Sequence, residues 1–542
     1  MNDKNFDRIC AVDEFGRSFL PAGPKEKGKT VGIFYFLWNG AHDTRIHDLN
    51  KMLEQDTTTV FYPKPLPEIN FYDFHYWGEP LYGYYKAQDE YVVRRHVELL
   101  TAAGIDYLLC DTTNAVLYED SALILLKILK EYADNGWNVP KFACYTNQPA
   151  NETARRLYDA VYRPHPEFAD VWYRPNGKPM IVCRFDEPGE NEKRDAEVAA
   201  FFDIRRAQWP NEPYYSDGFP WMEWVFPQPR HNDFISVSVA QHQLGRFSAC
   251  EGNWGRGCDR NGVEHHDDFR LGQNFQRQWD VARESGAHNV FITGWNEWGA
   301  MKILHENQIV YVDCFDEEYS RDTEPMKDGY HDAFYLQMIA NIRKFRNTPA
   351  LVSSNKEHTV DISGNEDQWN DAPVYEAFSQ TNDARNFCAI DPHVHYTTEP
   401  AENNIRSVRV THDAENFYFL IETENDIAPY TGKPGWMNLL IGVGDPARHG
   451  WEGYTYAVNR RGFAACDKLN CTGNTITYQT IRQEINGRFL KIEIPRKLIG
   501  AENAHRIYFK AADSVKHLRD INDYYVTGKV LPLGRLSYSY EF

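Results

Sequence analysis

The chain has 542 residues, of which 42% are hydrophobic and 25% charged, an ordinary balance for globular proteins. This composition excludes a disordered, collagen-like or coiled-coil protein, and the length predicts two or three domains, since one barrel alone takes about 250 residues. The net charge of −20 makes nucleic acid an unfavourable partner, because an acidic surface repels phosphate backbones. No apolar run is long enough to cross a bilayer, so no membrane span is predicted.

The first 30 residues are polar and interrupted by Pro and Gly, and we predict a lead-in here. The opening stretch MNDKNFDRICAVDEF lacks the basic-then-apolar pattern of a signal peptide. The sequence as written therefore predicts a cytoplasmic protein. A periplasmic or secreted location is the alternative if a signal peptide preceded these residues.

Strand-like and helix-like segments alternate from 31 to 346, which is the pattern of parallel βα units. The strand-like runs are 31–38, 105–111, 141–146, 179–185, 221–225, 234–239, 289–294 and 309–314. Helices are expected at 89–103, 120–134, 150–160, 191–207, 268–285 and 332–345. Eight strands predict an α/β fold of the (β/α)8 TIM-barrel type. A doubly wound open sheet is the alternative, weakened by the lack of a GxGxxG after the first strand.

The character of the sequence changes after the last predicted helix. Residues 347–366 are polar and lack helical periodicity, which predicts a linker. From 367 to 542, short strand-like runs are separated by turn signals, a pattern typical of an all-β sandwich. These runs are 407–410, 417–422, 437–443, 454–459, 475–480, 489–494 and 506–511.

Aromatic residues are abundant at 14%, with 14 Trp, 33 Tyr and 31 Phe. Large cores explain most of them, but sugar rings also pack a C–H face against aromatic planes, so carbohydrate is a candidate ligand. In a barrel the active site lies at the carboxyl ends of the strands. The candidates at these ends are Trp38, Asp111, Asn114, Glu223, His242, Trp295, Asn296, Glu297 and Trp298. Trp77 is a further candidate for stacking on a sugar. Glu251 and Trp254 lie in a Gly-rich loop, 250–260, which sequence alone makes a flexible surface loop and which would bind substrate at the top of a barrel.

These residue types are those of a glycosidase cleft. Carboxylates serve as acid, base or nucleophile, amides and histidine bind hydroxyls, and indoles stack on sugar rings. Each has a structural alternative: core packing for the tryptophans, helix capping for Asp111, and a backbone-held buried ring for His242. No Ser/His/Asp triad with a nucleophile elbow accompanies them. Because the HExxH motif is also missing, a zinc hydrolase is disfavoured and no metal site is predicted.

The most informative stretch is TGWNEWGA at 293–300. It delivers Glu297 between two tryptophans at the end of an apolar strand. An indole neighbour desolvates a carboxylate and raises its pKa, which suits it to proton transfer. The alternative is a core-capping turn with a structural hydrogen bond. The segment SRDTEP at 320–325 is interpreted as an ion-paired turn.

Three segments together resemble a known family. TGWNEWGA, FYFLWNG at 34–40 and GYYKAQDEYVVRRHVELLTAAGIDYLLCDTTN at 83–114 resemble the barrel of glycoside hydrolase family 99, and also a wider group of barrels that includes glycosyltransferase-like O-antigen biosynthesis proteins. The resemblance covers roughly 31–346. It implies a (β/α)8 retaining endo-α-mannosidase with two glutamates in the pattern NEWxEG. One assists the 2-hydroxyl to form an epoxide-like intermediate, and the other is the acid/base.

This chain departs from the family at the second glutamate. Glu297 matches the first, but Ala300 stands at the second, and the following MKILHENQ lacks the family's GTQxEP run. The resemblance therefore does not supply an acid/base, and it does not imply endo-α-mannosidase specificity. Either another carboxylate serves, with Asp111, Glu223, Glu251 and Glu306 as candidates, or the reaction differs.

The C-terminal part also resembles known domains. DQWNDAPVYEAF at 367–378 and VRVTHDAENFYFLIETENDI at 408–427 are similar to β-sandwiches of carbohydrate-binding-module family 9 and of the DOMON type. The resemblance implies sugar binding between tryptophans, here Trp436 and Trp451, and sometimes a structural calcium ion. A domain that only packs against the barrel is the alternative.

Together these features predict a glycoside hydrolase acting on an oligosaccharide or polysaccharide through carboxylate chemistry, with no organic cofactor. The first alternative is a non-catalytic glycan-binding protein with a degenerate site. The second is a glycosyltransferase-like enzyme, disfavoured because no phosphate-binding Gly-rich turn and no DxD motif is found. Substrate sugar, linkage and oligomeric state are not predicted.

Overall fold

The computed structural model describes residues 4, 6–23, 26–55, 71–147, 149–184, 195–210, 212–241, 253–305, 308–351 and 354–542. The chain divides into two compact units. The first comprises Met1–Asn5, Glu26–Arg346 and Phe387–Tyr396, and the second Phe6–Lys25, Asn347–Asn386 and Thr397–Phe542. Among the described residues, no helix has both the length and the apolar character that a membrane span requires.

Eight parallel strands form the centre of the first unit. They are β1 Thr30–Tyr35, β2 Tyr107–Thr112, β3 Lys141–Thr146, β4 Met180–Cys183, β5 Asp203–Gln208, β6 Gly218–Pro220, β7 Phe234–Ser238 and β8 Asn289–Thr293. Neighbours in the sheet follow the chain, and β8 returns to pair with β1. Only β6 and β7 lack a ladder among the described residues, so the barrel is nearly closed. This order confirms the predicted TIM-barrel class and rules out the open sheet.

Three of the strand predictions for the barrel differ from the structure. The predicted strand 221–225 is not a strand, because β6 already ends at Pro220. β5 falls in the region predicted as helix 191–207, where the helix is only Ala196–Phe201. The predicted last strand, 309–314, is not in the barrel: Gln308–Tyr311 pairs antiparallel with Gly299–His305, which pairs with Phe74–Tyr76. Arg205 and Arg206 interrupt the apolar pattern of β5, so its sequence lacks the signature of a buried strand.

Helices surround most of the strands. They are Leu49–Gln55, Glu90–Ala103, Glu119–Asp134, Ala150–Leu157, Ala196–Phe201, Gln273–Glu284 and Ala333–Phe345. The helix Glu90–Ala103 has a capping residue at each end. The Asp89 side chain accepts from the backbone N–H of Tyr91, and Gly104 ends the helix in the left-handed region at φ 79°.

The barrel interior is filled by aromatic rings. Tyr107 stacks on Tyr173 with ring centroids 4.1 Å apart, and Phe34, Tyr145 and Phe291 belong to the same buried cluster. Gly32 on β1 is required here, because an added Cβ would lie 2.1 Å from the Tyr107 ring. Many of the aromatic residues thus belong to the core, as the sequence analysis predicts for most of them.

The second unit is built from antiparallel sheets. A nine-stranded sheet has the order Ser18–Phe19, Ile9–Val12, Ser537–Glu541, Arg506–Asp513, Asn438–Val443, Tyr456–Val458, Ala465–Leu469 and Thr475–Thr480, with Lys529–Leu531 paired to Arg506–Asp513. A five-stranded sheet has the order Val374–Glu376, Ile405–His412, Asn416–Thr423, Phe489–Pro495 and Arg482–Asn486. A short pair, Arg385–Cys388 and His395–Thr398, and the helix Asp523–Val526 complete the C-terminal elements. These sheets agree with the predicted β-sandwich.

The N-terminal residues take part in this second unit. Ile9–Val12 pairs with Ser537–Glu541, with Ile9 opposite Tyr538. Ala22 forms a bridge with Ala350, inside the stretch predicted as a linker. Residues 6–25 thus supply strands to a sheet whose other members come from the far end of the chain.

Candidate active site

A small cavity lies at the carboxyl ends of the barrel strands, where the fold predicts an active site. Its volume is about 60 Å³. Carboxylates and aromatic rings line it: Phe34, Phe36, Asp111, Thr113, Tyr145, Trp209, Trp221, Glu297 and Asp313. Two of the four predicted catalytic carboxylates, Asp111 and Glu297, thus meet here.

Glu297 follows β8 and is held from three sides. Its carboxylate accepts from Arg321, with Oε2 3.0 Å from Nη2. Its backbone N–H donates to Oδ1 of Asp322 at 2.8 Å, and its carbonyl accepts from the indole of Trp77 at 2.7 Å. Only 7% of the residue is exposed, so its position is fixed by the fold before any ligand binds.

The environment of Glu297 favours its protonated form. Burial raises the pKa of this carboxyl well above the usual range, and the negative charges of Asp313, Asp322 and Asp111 raise it further. The Arg321 guanidinium acts in the opposite direction but does not cancel these effects. A carboxylic acid that keeps its proton near neutral pH is suited to donating it to a leaving group.

Asp111 ends β2 and reaches the same cavity. Its Oδ1 accepts from the backbone N–H of Thr113 at 2.9 Å. Burial raises the pKa of Asp111 to about 6, the Thr113 hydrogen bonds oppose this, and the charge of Asp313 adds to it. The helix-capping alternative does not apply here, because the helix that follows begins at Glu119.

Two functional candidates escaped sequence analysis. Asp313 lines the cavity and Arg321 lies between two acids, its Nη2 being 3.0 Å from Glu297 Oε2 and 3.2 Å from Asp313 Oδ1. Asp313 adopts a left-handed backbone at φ 71°, an uncommon conformation that marks functional turns. A possible signal was the charge-rich SRDTEP segment, which was interpreted only as a local turn.

That segment is in fact buried, from Ser320 to Glu324. Its ion pairs join it to the strand-end acids instead of closing a surface turn. Glu324 accepts from the Tyr85 hydroxyl at 2.7 Å, contacts His96 Nε2 at 2.8 Å, and accepts from the indole of Trp298. Charged residues this deeply buried need partners, and these partners fix the loop that carries Glu297.

The residues flanking Glu297 have structural contacts. The amide of Asn296 pairs with the backbone of Phe36, accepting at 2.8 Å and donating at 3.1 Å. Trp298 stacks on Trp77 with centroids 4.2 Å apart, and Trp295 packs against His96. All three indoles are fully buried, so no face of them is open for a sugar in this arrangement.

Four other predicted residues lie outside the cavity lining. The Glu223 carboxylate contacts His231 Nε2 at 2.6 Å. Trp38 is buried against Phe36 and Phe74. The Trp254 ring lies under the Arg277 guanidinium at 4.8 Å, and Asn114 donates to the Tyr118 hydroxyl. The remaining candidates, His242, Glu251 and Glu306, lie outside the described residues.

One group of side chains in the described structure has metal-ligand spacing. The ligand atoms of Glu297, Cys314 and Asp322 lie within 4.8 Å of one another. Arg321 already occupies the Glu297 carboxylate, and Asp322 accepts from a backbone N–H, so the hydrogen bonds account for this cluster without an ion. In the described part of the second unit, no three His, Cys, Asp or Glu ligands come together in this way, and structural calcium stays a prediction.

Comparisons with known proteins give limited information. No protein-family model matches the chain, and no curated protein matches it. Among solved structures it is similar to the GH99 endo-alpha-mannosidase from Bacteroides thetaiotaomicron, at 16% identity and TM-score 0.35, over 58% of this chain and 97% of that one. The same enzyme in complex with bis-tris-propane matches at 14% identity and TM-score 0.33, with the same coverage. Scores this low establish neither family membership nor a shared activity.

Proposed function

We propose that the chain is a glycoside hydrolase whose chemistry takes place in the barrel cavity. The observation that carries the proposal is the environment of Glu297, a buried carboxyl with a strongly raised pKa beside two further carboxylates. Glycosidases use a pair of carboxyl groups across the scissile bond, one of them kept protonated as the acid. Glu297 is assigned the role of proton donor.

The partner of Glu297 is Asp111 or Asp313. The Glu297 and Asp313 oxygens contact the same Arg321 nitrogen at 3.0 and 3.2 Å. Those two oxygens are therefore at most about 6 Å apart, an upper bound that is compatible with the carboxyl separation of about 5–5.5 Å in retaining enzymes. Asp313 is the more accessible of the two partners and is the preferred nucleophile or base. A 2-hydroxyl-assisting role for Glu297, as the family resemblance implies, is the second version of this mechanism.

The aromatic wall supplies the binding surface. Trp209 is partly exposed and packs against Trp221 with centroids 5.5 Å apart, and both line the cavity with Tyr145. The partly exposed indole of Trp209 accepts the apolar face of a sugar while the carboxylates take its hydroxyls, and the buried rings of Trp221 and Tyr145 support that indole. The choice of sugar is then set in part by this aromatic wall.

A non-catalytic glycan-binding protein is the second candidate, and one observation favours it. Ala300, at the position of the family's second glutamate, is 1% exposed and pairs with His75 in an antiparallel ladder. No side chain at that position reaches a ligand. If neither Asp111 nor Asp313 replaces the missing group, binding without hydrolysis is the expected behaviour.

The test is hydrolysis of a panel of plant, yeast and host glycans by the parent chain, by Glu297→Gln and by Glu223→Gln. Gln keeps the shape of a protonated Glu297 but has no proton to transfer, so a loss of about 10³-fold in kcat/KM is expected. Glu223→Gln is the matched control, since it neutralises a strand-end carboxylate outside the cavity. Near-normal activity of Glu297→Gln would refute the assignment, and glycan binding with no hydrolysis by the parent would favour the second candidate.

A further inference from the structure

The second unit contains a groove that is much larger than the barrel cavity described above. This groove has a volume of about 1170 Å³, more than most small-molecule sites. Segments around 399–402, 433–436, 460–461, 473–475, 514–520 and 527–528 line it. A groove of this size accommodates several sugar units.

Positive charge concentrates along this groove, although the chain as a whole carries −20. Arg460, Arg461, Lys516 and Arg519 all line it. Within the described ranges of the chain, no carboxylate lies at ion-pair distance from any of these four. Lys433, by contrast, is neutralised by Glu402 at 3.2 Å. Cations that line a groove and have no ion-pair partner attract a ligand of opposite charge, even where the net charge of the protein is negative.

Arg460 gives a second and independent indication. Only 8% of it is exposed, its Nη2 donates to the Leu518 carbonyl at 2.9 Å, and its guanidinium lies 5.0 Å from the centroid of the Trp451 ring. Its Nη1 is buried and has no hydrogen-bond partner among the described residues. Burial lowers the pKa of Arg460, and the charge of nearby Arg519 contributes. An unsatisfied buried donor destabilises the folded chain, and an acceptor on a ligand would satisfy it.

The other lining groups narrow the class of ligand. Glu399 and Asp520 stand in the same groove as the cations, and Thr475, Ser514 and Thr527 add hydroxyls. Carboxylates would repel a densely charged polyphosphate, but they accept hydrogen bonds from sugar hydroxyls. A ligand with both hydroxyls and spaced negative charges satisfies both sets of groups.

We propose that this groove binds an acidic oligosaccharide, one whose sugar units carry carboxylate or sulfate groups. The anionic groups contact Arg460, Lys516 and Arg519, and the hydroxyls contact the acidic and hydroxyl side chains. Trp436 and Trp451, the tryptophans suggested by the family resemblance, are both buried and support the walls instead of stacking on the sugar. The site goes beyond the barrel chemistry and does not depend on it.

The test is calorimetric titration of the full chain with two acidic probes, a galacturonic acid hexamer and a heparin hexasaccharide. Maltohexaose serves as the neutral probe and inorganic phosphate as the small anion. The groove variant is Lys516→Ser with Arg519→Ser, and the matched control is Lys356→Ser with Lys497→Ser, which removes the same charge at exposed positions of the same unit. All four side chains are exposed, so folding is not at risk.

At least one acidic hexasaccharide is expected to bind, more weakly as salt rises, and about 10-fold or more weakly to the groove variant than to the control. Maltohexaose should bind both variants equally. The proposal is overturned if neither acidic probe binds, if the two variants lose affinity equally, or if phosphate alone binds as tightly as the hexasaccharides. Glu297→Gln should leave this affinity unchanged, so failure here is distinguishable from failure of the barrel assignment.

Discussion

The barrel cavity and the groove of the second unit use charge in opposite ways. In the cavity, acids are buried beside aromatic rings, and the pKa values of Glu297 and Asp111 are raised by that burial. In the groove, the cations Lys516 and Arg519 are exposed to water. Burial changes the pKa of an ionisable group and so its capacity to transfer a proton, whereas an exposed charged group acts by attracting ligands of opposite charge.

This difference separates chemistry from binding. A desolvated carboxyl exchanges its proton near neutral pH and so takes part in acid–base catalysis. A solvated ammonium or guanidinium stays charged throughout and contributes only to affinity. Substitutions in the cavity are therefore expected to change rate and pH profile, and those in the groove to change affinity and its salt dependence.

The largest expected effect identifies the partner of Glu297. Asp313→Asn and Asp111→Asn are compared for hydrolysis of whichever glycan the parent cleaves. The true partner should lose about 10² to 10⁴-fold in kcat/KM, because a neutral amide neither attacks nor accepts a proton. Asp316→Asn is the control, since burial raises the pKa of Asp316 to about 6 as well but this residue does not line the cavity. If both aspartate variants stayed active, the two-carboxylate account would fail.

The next effect contrasts a buried cation with an exposed one. Arg321→Met removes the countercharge of Asp313 and the hydrogen bond to the Glu297 carboxyl, and it should lower the free energy of unfolding by about 3–5 kcal/mol. Arg519→Met, in the groove, should change it by no more than about 0.5 kcal/mol. Urea unfolding of the two variants measures the contrast. Equal stabilities would mean that Arg321 is not the partner that holds the two acids.

A smaller effect concerns stability against pH. The pKa of Asp111 is about 6 in the folded state, which is above its value in the unfolded state. Between these two pKa values the folded state binds more protons than the unfolded state. The ionisation of Asp111 therefore lowers the stability of the fold as pH rises through that window. Asp111→Asn should therefore stabilise the protein at pH 7.5 by about 3 kcal/mol, since each pKa unit of the shift contributes about 1.4 kcal/mol. Below the unfolded-state pKa the gain should vanish. Thermal melts at pH 7.5 and at a pH below the unfolded-state pKa of Asp111 test this. A gain in stability that is the same at both would contradict the cause given.

The smallest effect tests whether a predicted sugar-binding amide is structural. Asn296→Ala leaves the N–H and carbonyl of Phe36 without partners and should cost about 1–3 kcal/mol of stability. Affinity for the glycan should not change, because the Asn296 amide is fully used by the backbone. A variant of unchanged stability that loses glycan affinity would restore the substrate-binding role.

The barrel was predictable from sequence because most of its strands are continuous apolar runs followed by helices. β5 was not, since Arg205 and Arg206 lie within it and a charged run is normally interpreted as a solvated face. The strands at Ile9–Val12 and Ser18–Phe19 were missed for a different reason. Ile9–Val12 pairs with Ser537–Glu541, more than 500 positions away, and Ser18–Phe19 pairs with Ile9–Val12 across a tight turn. No local sequence pattern reveals such a partner.

The site was predictable only where chemistry coincides with a strand end. Glu297 and Asp111 were found in this way. Asp313 and Arg321 come from a segment outside the barrel strands that the fold brings back over β8, and their burial is set by tertiary packing. The sequence places tryptophans on both sides of Glu297, but it does not show whether their indoles face a ligand or the core. In the structure, the indole of Trp298 stacks on that of Trp77.

The central claim is that Glu297 holds a proton at neutral pH. Infrared difference spectra between the parent and Glu297→Gln, recorded across a pH series, measure that proton directly through the carbonyl stretch of the protonated carboxyl. We expect the band of the protonated acid to be present at pH 7 and to disappear only at higher pH, as burial and the neighbouring acids require. A Glu297 signal that is already that of a carboxylate at pH 6 would contradict the account.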